Sequence, residues 1–251
     1  MKFRLKAFGL HLSASAVALT LTLGVLYLGW YYWPGWYLAD VPKVVAVMAG
    51  VDLVIGPMLT LIVAAAGKPR RELARDLAVI VALQLFALIY GTVALWNGRP
   101  LYYAFSVNCL SVVQAYDIDP PELKTARDGR AAFAPYWYSL PRWVWAPLPQ
   151  DAAESGKIVA SALQGGFDVT AMPRYFKPWD QGLPELQRQL KKIDDISFFT
   201  NAEKKALKER MRAAGLAADL PDAIALTGRG RPLLAVVDPQ SLKITAIFKA
   251  T

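Results

Sequence analysis

Two polar side chains stand inside long apolar runs, where a polar group is costly. Asp52 lies near the middle of one run, and Gln84 lies near the middle of the next. A charged carboxylate at the centre of a membrane costs at least about 2.5–3.5 kcal/mol, so Asp52 must face protein, water or a basic group, or be protonated. Three interpretations are open. Asp52 hydrogen-bonds to Gln84 and joins two helices, it receives a polar group from a partner's membrane helix, or it belongs to a proton or ion pathway.

A glycine–proline pair, Gly56-Pro57, follows one turn after Asp52. Pro57 has no N–H, so the helix is expected to kink there and to leave a carbonyl near Leu53 without its helical partner. The hydroxyl of Thr60 is a candidate to bond that carbonyl, because free backbone groups in lipid must be covered by protein. A kink with a purely structural role is the alternative to a partner-binding role.

Small residues recur at four-residue spacing in the first apolar run, at Ala16, Thr20 and Gly24. Such residues let another helix approach closely, either from the same chain or from a partner. His11, the only histidine, lies near the start of this run. We interpret it as an interfacial side chain that reaches toward the headgroups.

The sequence offers no catalytic constellation. Cys109 is the only cysteine, which excludes an internal disulfide, a C-x-x-C redox motif and a cysteine-based zinc site. We expect it to be a buried, inert thiol. A multi-histidine metal site and a Ser-His-Asp triad in the polar half are excluded by the single histidine, and no phosphate-binding glycine motif occurs. We therefore expect no enzyme activity, no metal and no cofactor.

Predicted membrane helices position these residues. The chain has 251 residues, of which 55% are hydrophobic and only 19% charged, whereas a soluble domain carries about 25% charged residues. Apolar runs of roughly 18 or more residues are typical of membrane helices. Three such helices are predicted, at about residues 8–33, 44–66 and 73–96.

A cleaved signal peptide is the alternative for the first of these runs. A signal peptide also has a basic start, but its apolar segment is shorter than this one. The run ends in the aromatic group Trp30-Tyr31-Tyr32-Trp33. Aromatic residues of this kind anchor a retained helix at the headgroups.

The basic residues that flank the predicted helices lie mostly on one side. Seven of them precede the first helix or surround the loop between the second and third: Lys2, Arg4, Lys6, Lys68, Arg70, Arg71 and Arg75. The loop between the first and second helices carries only Lys43. Because basic loops stay in the cytoplasm, we expect a cytoplasmic N-terminus and, after three crossings, a periplasmic C-terminal part at a bacterial inner membrane. The net charge of +8 then requires no nucleic-acid partner.

Two domains are predicted. Residues 1–98 form a transmembrane domain of three helices, and residues 99–251 form a periplasmic α+β domain with an antiparallel sheet, long enough to bury its own core. β-branched and aromatic residues predict one strand at 101–116. A turn at 238–241 predicts a terminal hairpin over 232–248 in the same sheet.

Helices are predicted between these strands. Capping residues and apolar periodicity place one from Asp151 to a stop at Gly165-Gly166, one at 183–193, and one from Thr200 to an end at Gly215. The segment 135–147 is rich in proline and aromatic residues, which predicts an irregular loop. This loop packs on the domain core, lies on the headgroups or binds a partner.

The stretch from Val51 to Val63, which contains Asp52, Gly56 and Pro57, resembles the type IV pilin accessory proteins of the TfpX/TfpZ kind. The resemblance continues at Lys68, 73–77, Gln84, 87–88, 90–91 and 99–102. It implies an inner-membrane accessory factor that acts as a chaperone for type IV pilin and supports pilin stability, pilus assembly or pilus dynamics. The implied partners are the membrane helix and periplasmic head of the pilin, within the lipid bilayer.

Other functions remain open. A transport or proton-relay component built around Asp52 is the main alternative, and it would need further polar groups in the membrane helices. An anchored periplasmic enzyme would need clustered acid–base groups. A signal-sensing protein would need an effector on the cytoplasmic side, where only short basic segments are predicted.

Overall fold

The computed structural model describes residues 2–64, 67–220, 222–238 and 240–250. Within these ranges the chain divides into two compact units. The first consists of Met1–Tyr32 and Asp40–Gly98, and the second of Trp33–Ala39 and Arg99–Thr251. The short segment Trp33–Ala39 therefore belongs with the C-terminal part of the chain.

In the described part of the chain, three helices are long and apolar enough to cross a membrane: Lys2–Tyr31, Val41–Val63 and Arg70–Asn97, named here spans one, two and three. The prediction of three membrane helices is confirmed in this sense. The helices begin several residues before the apolar runs, because backbone hydrogen bonding continues through the polar flanking residues. The predicted end of the second helix at Ala66 lies outside the described residues.

The spans combine regular and widened helix. Their elements, with the short helix between spans one and two, are α1 (Lys2–Leu26), α2 (Gly35–Leu38), α3 (Val41–Ala49), α4 (Gly56–Val63) and α5 (Arg70–Asn97). π-helical turns continue α1 over Tyr27–Tyr31 and join α3 to α4 over Gly50–Ile55. Where spans one and three meet, the buried Tyr31 hydroxyl donates to the Leu95 carbonyl over 2.6 Å.

One sheet organises the second unit. Over the described residues its seven strands are β1 (Pro100–Ser106), β2 (Cys109–Gln114), β3 (Arg142–Trp145), β4 (Lys177–Pro178), β5 (Ala223–Thr227), β6 (Leu233–Val237) and β7 (Ile244–Lys249). Their order is β4-β3-β1-β2-β5-β6-β7. The β1–β3 and β2–β5 pairs are parallel, and the other four pairs are antiparallel. The predicted α+β domain with a mostly antiparallel sheet is confirmed.

The prediction of one strand over 101–116 is wrong, because this stretch is the β1–β2 hairpin. The chain reverses at Val107, whose φ of 51° lies in the left-handed region that glycine usually occupies in a two-residue turn. The terminal hairpin formed by β6 and β7 lies in the same sheet as β1, as predicted. At its turn, Asp238 accepts hydrogen bonds from the backbone of Gln240 and Ser241. Pro239 lies outside the described residues.

Four helices flank the sheet in the described ranges: α6 (Pro120–Asp128), α7 (Ala152–Leu163), α8 (Leu183–Gln189) and α9 (Asn201–Ala213). The Thr200–Glu203 capping box predicted for α9 is present. The predicted helix over 183–193 is shorter, because the backbone becomes extended after Gln189 and Lys191 pairs with Ala223.

Alternation along the strands gives the sheet two buried faces. On β6, Leu233 and Ala235 face a cluster that includes Leu186 of α8. Leu234 faces the opposite cluster, which includes Leu207 of α9. The second unit is thus a helix–sheet–helix sandwich over this part of the sheet.

The segment Trp33–Ala39, predicted from the sequence as the end of the first helix at Trp33 and a connecting loop after it, completes one of these faces. Leu38 at the end of α2 is fully buried in the same cluster as β6 and α8. The N–H of Gly230 donates to the carbonyl of Leu38 over 2.8 Å. A Cβ on Gly228 would lie 2.6 Å from the same oxygen. The core of the second unit is therefore built from more than the residues after Arg99.

Cys109 at the start of β2 is expected to react slowly with alkylating reagents. It is half-buried, and burial raises the pKa of its thiol. Less of the reactive thiolate is therefore present at neutral pH, and the labelling rate should rise with pH and on unfolding. Maleimide labelling at pH 7 tests this against a Leu163→Cys variant in a Cys109→Ser background, since Leu163 is 84% exposed. Equal rates for the two thiols would contradict the prediction.

Candidate functional site

The backbone of span two supplies one acceptor of the polar site in the first unit. The chain widens into the π-helical turn Gly50–Ile55 just before Pro57. In this register the N–H of Gly56 bonds to the carbonyl of Val51, five residues back. Pro57 has no N–H, so the next carbonyl in the same register, that of Asp52, lacks its helical partner.

Gln84 of span three takes the place of the missing donor. Its Nε2 donates to the Asp52 carbonyl over 3.1 Å. The freed carbonyl is therefore that of Asp52, next to Leu53 in the chain, and it is bonded by Gln84, not by the predicted Thr60. The contact depends on Gly56, because a Cβ at that position would overlap the Gln84 amide.

His11 of span one connects the other polar groups. Its Nε2 lies 2.5 Å from Oε1 of Gln84, and its Nδ1 lies 2.5 Å from Oγ1 of Thr60. A neutral ring in this arrangement donates to Gln84 and accepts from Thr60. The interpretation of His11 as an interfacial side chain that reaches toward the headgroups is wrong. Ser15 lies one turn later on the same face, and it accepts a hydrogen bond from Gln84 over 3.4 Å. The four-residue spacing of His11 and Ser15 is the sequence signal that could have predicted a polar face turned toward the other spans.

The carboxyl group of Asp52 is buried but not bonded to Gln84, which corrects the prediction of a direct side-chain pair. Asp52 is only 4% exposed. Its Oδ2 has no hydrogen-bond partner among the residues that the structure describes. Buried polar atoms are normally hydrogen-bonded, and a buried carboxyl oxygen without a donor is costly. This oxygen is the least satisfied polar atom of the cluster.

Asp52 is one of the residues that line a groove in the first unit. One wall is a face of α1 with the helical spacing i, i+3, i+4 and i+7: His11, Ala14, Ser15 and Ala18. The other wall is a face of α5 with the same spacing: Val81, Gln84, Leu85 and Leu88. Asp52 lines the same cavity, whose volume is about 190 Å³. We call this cavity the span groove.

The predicted small-residue stripe of span one does not line the groove. Thr20 is exposed, and Ala16 and Gly24 are half-buried. Apart from its chain neighbours and the backbone of its own helix, no atom of the described residues would lie within 4 Å of a Cβ at Gly24. The small residues at the groove are the exposed Ala14 and Ala18 and the half-buried Ser15. A partner-binding role for the predicted stripe stays a prediction.

The aromatic segment 135–147 divides into a packed and an exposed part. Trp143 on β3 stacks on Tyr103 with ring centroids 4.7 Å apart. Tyr136 and Trp137, by contrast, are exposed, and Tyr136 stacks on the exposed Tyr138 at 5.8 Å. The prediction that the aromatic residues pack on the core thus holds for the strand, not for the loop before it.

The fold and the buried polar cluster define a class: a protein of three apolar spans that carries a mixed α+β domain. The chain is similar to the fimbrial assembly proteins of Dichelobacter nodosus. It is 27% identical to those of serogroups I and E1 over 203 residues, which cover 80% of this chain and 77% of each relative. It is 29% identical over 124 residues to that of serogroups C1 and C2, covering 49% of this chain and 95% of the relative. No family model and no solved structure matches the chain.

Proposed function

We propose that the protein is an inner-membrane accessory factor for a type IV pilin, one that acts as a chaperone and supports pilin stability, pilus assembly or pilus dynamics. The observation that carries the proposal is the similarity to fimbrial assembly proteins over 203 residues. A match of this length exceeds either unit, so it includes parts of both the spans and the α+β domain. The resemblance of Val51–Val63 to the TfpX/TfpZ kind of accessory protein supports the finer assignment.

The two units suit a client that has both a membrane helix and a folded head. The first unit offers a polar residue, Asp52, in the lining of the span groove, within the apolar part of the chain. The second unit offers an exposed aromatic surface at Tyr136, Trp137 and Tyr138. Neither role requires a catalytic group, so the proposed protein binds and holds its client without transforming it.

Removing the protein from a piliated bacterium tests this function. We expect the amount of pilin per cell and the number of surface pili to fall together, since an unassembled pilin loses its chaperone. Restoring the full chain should restore both. Normal pilin levels and normal piliation in the absence of the protein would contradict the proposal.

We also propose that the N-terminus is cytoplasmic and the second unit periplasmic. The basic residues of the N-terminus and of the loop around Lys68 support this orientation. The packing of Trp33–Ala39 within the second unit supports one part of it, that the N-terminus and the second unit lie on opposite sides of the membrane. Because this segment follows span one and Arg99 follows span three, both must reach the same side of the membrane, as three crossings require.

Reporter fusions test the orientation. A reporter fused after Thr251 should be active only if it works in the periplasm, and one fused after Arg70 only if it works in the cytoplasm. The physical reason is the seven-to-one ratio of basic residues in the two sets of loops. Cytoplasmic activity of the Thr251 fusion would overturn the orientation.

A transport or proton-relay function built around Asp52 remains the alternative. The cluster of His11, Gln84 and Asp52 is the observation in its favour. Against it, these are few polar groups for a path across a membrane: His11 and Asp52 are the only acidic or basic residues in 7–31, 44–63 and 77–97. An Asp52→Asn variant that loses a proton or ion flux but keeps piliation would favour this alternative.

A further inference from the structure

We propose that the span groove receives the membrane helix of the pilin, and that Asp52 bonds a cationic group which that helix carries. The inference rests on the proposed function and adds the binding site and the chemistry that it recognises. It draws on three observations: the shape of the groove, the unpartnered oxygen of Asp52 and the residues at the groove's rim.

The shape of the groove matches a helix. Each wall is a single helical face with the spacing i, i+3, i+4 and i+7, so two parallel ridges run along spans one and three. Ala14 and Ala18 on one ridge carry the smallest side chains that a helical face offers without glycine. Small residues let helix backbones approach closely in a membrane, where close packing drives association.

The chemistry of the groove calls for a donor. Oδ2 of Asp52 is buried and has no hydrogen-bond partner in the described part of the chain, while the Asp52 backbone carbonyl is already bonded by Gln84. Lipid tails fill a groove but offer no hydrogen bond. A helix that carries an ammonium or guanidinium group would offset the carboxylate charge as well as bond the oxygen. Charge complementarity therefore selects a cationic helix over lipid.

The rim of the groove is open to such a helix. Val81 and Leu85 of span three and Ala14 and Ala18 of span one are all exposed within the first unit. They form an apolar border around a single buried carboxyl group. Apolar contacts around a buried charged group exclude water from it, and the charged group then fixes the register of the partner.

The first test removes the charge and keeps the fold. Asp52→Asn retains the backbone carbonyl that Gln84 bonds and retains the side-chain volume. We expect pilin co-purification to fall by about tenfold or more at matched protein levels, because one partner of a buried charge pair is lost. Normal capture by Asp52→Asn would overturn the inference.

The second test fills the groove without touching the carboxyl group. Ala18→Leu places a larger side chain on the rim, and Ser13→Leu places the same side chain on the exposed, opposite part of α1. We expect Ala18→Leu to reduce pilin capture and Ser13→Leu to leave it unchanged. Equal capture by the two variants would count against the groove as the site.

Photo-crosslinking separates this inference from the proposed function. A photoreactive residue at Leu85, in the groove, should crosslink to pilin in cells, whereas one at Leu83, which is 61% exposed on another face of span three, should not. Crosslinks only from Leu83, or only from the aromatic loop at Trp137, would reject the groove but keep the pilin as client. Loss of pili on removal of the protein, measured in the same strain, tests the proposed function independently.

Discussion

Replacing Leu38 with alanine is expected to lower the free energy of unfolding of the second unit by about 2–5 kcal/mol, the usual range for a buried leucine. Leu38 is fully buried in the cluster between the sheet and α8, although it lies before span two in the chain. Cys109 makes the measurement specific, because it is the only thiol of the chain and belongs to β2. The urea concentration at which Cys109 becomes reactive reports the opening of this unit and not of the spans.

Two further variants test the origin of the effect. Leu163→Ala, at an 84% exposed position, should change the stability by no more than about 0.5 kcal/mol. Gly228→Val should destabilise in the same direction as Leu38→Ala, because its Cβ would lie 2.6 Å from the Leu38 carbonyl oxygen. If Leu38→Ala and Leu163→Ala open at the same urea concentration, Trp33–Ala39 does not pack in the core. A fragment that starts at Arg99 should resemble Leu38→Ala, since it lacks this side chain.

Gly56→Ala is expected to destabilise the first unit by about 2–4 kcal/mol, through overpacking and the loss of buried hydrogen bonds. The added Cβ would overlap the side-chain amide of Gln84. Gln84 would then have to move away from the Asp52 carbonyl and from His11, and both would lose their partner in an apolar environment. Thermal unfolding of the three spans in detergent, with helical circular dichroism as the signal, measures the effect.

Gly24→Ala is the matched control for Gly56→Ala. It makes the same chemical change in a helix of the same unit, at a position where, apart from chain neighbours and the backbone of its own helix, no atom of the described residues would lie within 4 Å of the new Cβ. Alanine should leave the stability unchanged there or raise it by up to about 1 kcal/mol, because it favours the helix more than glycine does. A Gly56→Ala, Gln84→Ala double variant should recover part of the loss, since the overlap is gone. Equal stability of the two single glycine variants would show that the overlap is relieved without cost.

The spans were predictable from the sequence, but the contacts of the polar site were only partly so. Length and hydropathy are properties of the local sequence, and they located all three helices. The similar depth of Asp52 and Gln84 correctly indicated that they meet. The atoms that meet depend on the π-helical turn, which shifts the freed carbonyl to Asp52. No pattern of residues before Pro57 predicts that the helical hydrogen bonds change from four to five residues back.

For the sheet, local pairing was partly predictable from the sequence, whereas pairing between strands far apart in the chain was not. The terminal hairpin has a turn with an aspartate that caps its own backbone, and it was predictable. The β1–β2 turn contains Val107 in a left-handed conformation without a glycine, and Asn108 is its only turn-favouring residue, so the turn signal is weak. β3 is a short strand whose neighbours, β1 and β4, both lie far away in the chain. Its pairing is set by the whole sheet and not by its own residues.

The burial of Leu38 in the core also determines when the second unit can fold during synthesis. Trp33–Ala39 is made before spans two and three, whereas Gly228 and Gly230, which pack against it, are made only after β5. At the usual rate of about 5–20 residues per second, the segment waits on the order of ten seconds or more for its partners. A chain that stops before β6 can insert its spans and yet never close its second unit. Such unfinished chains would remain open to proteases, which gives the cell a means of removing them.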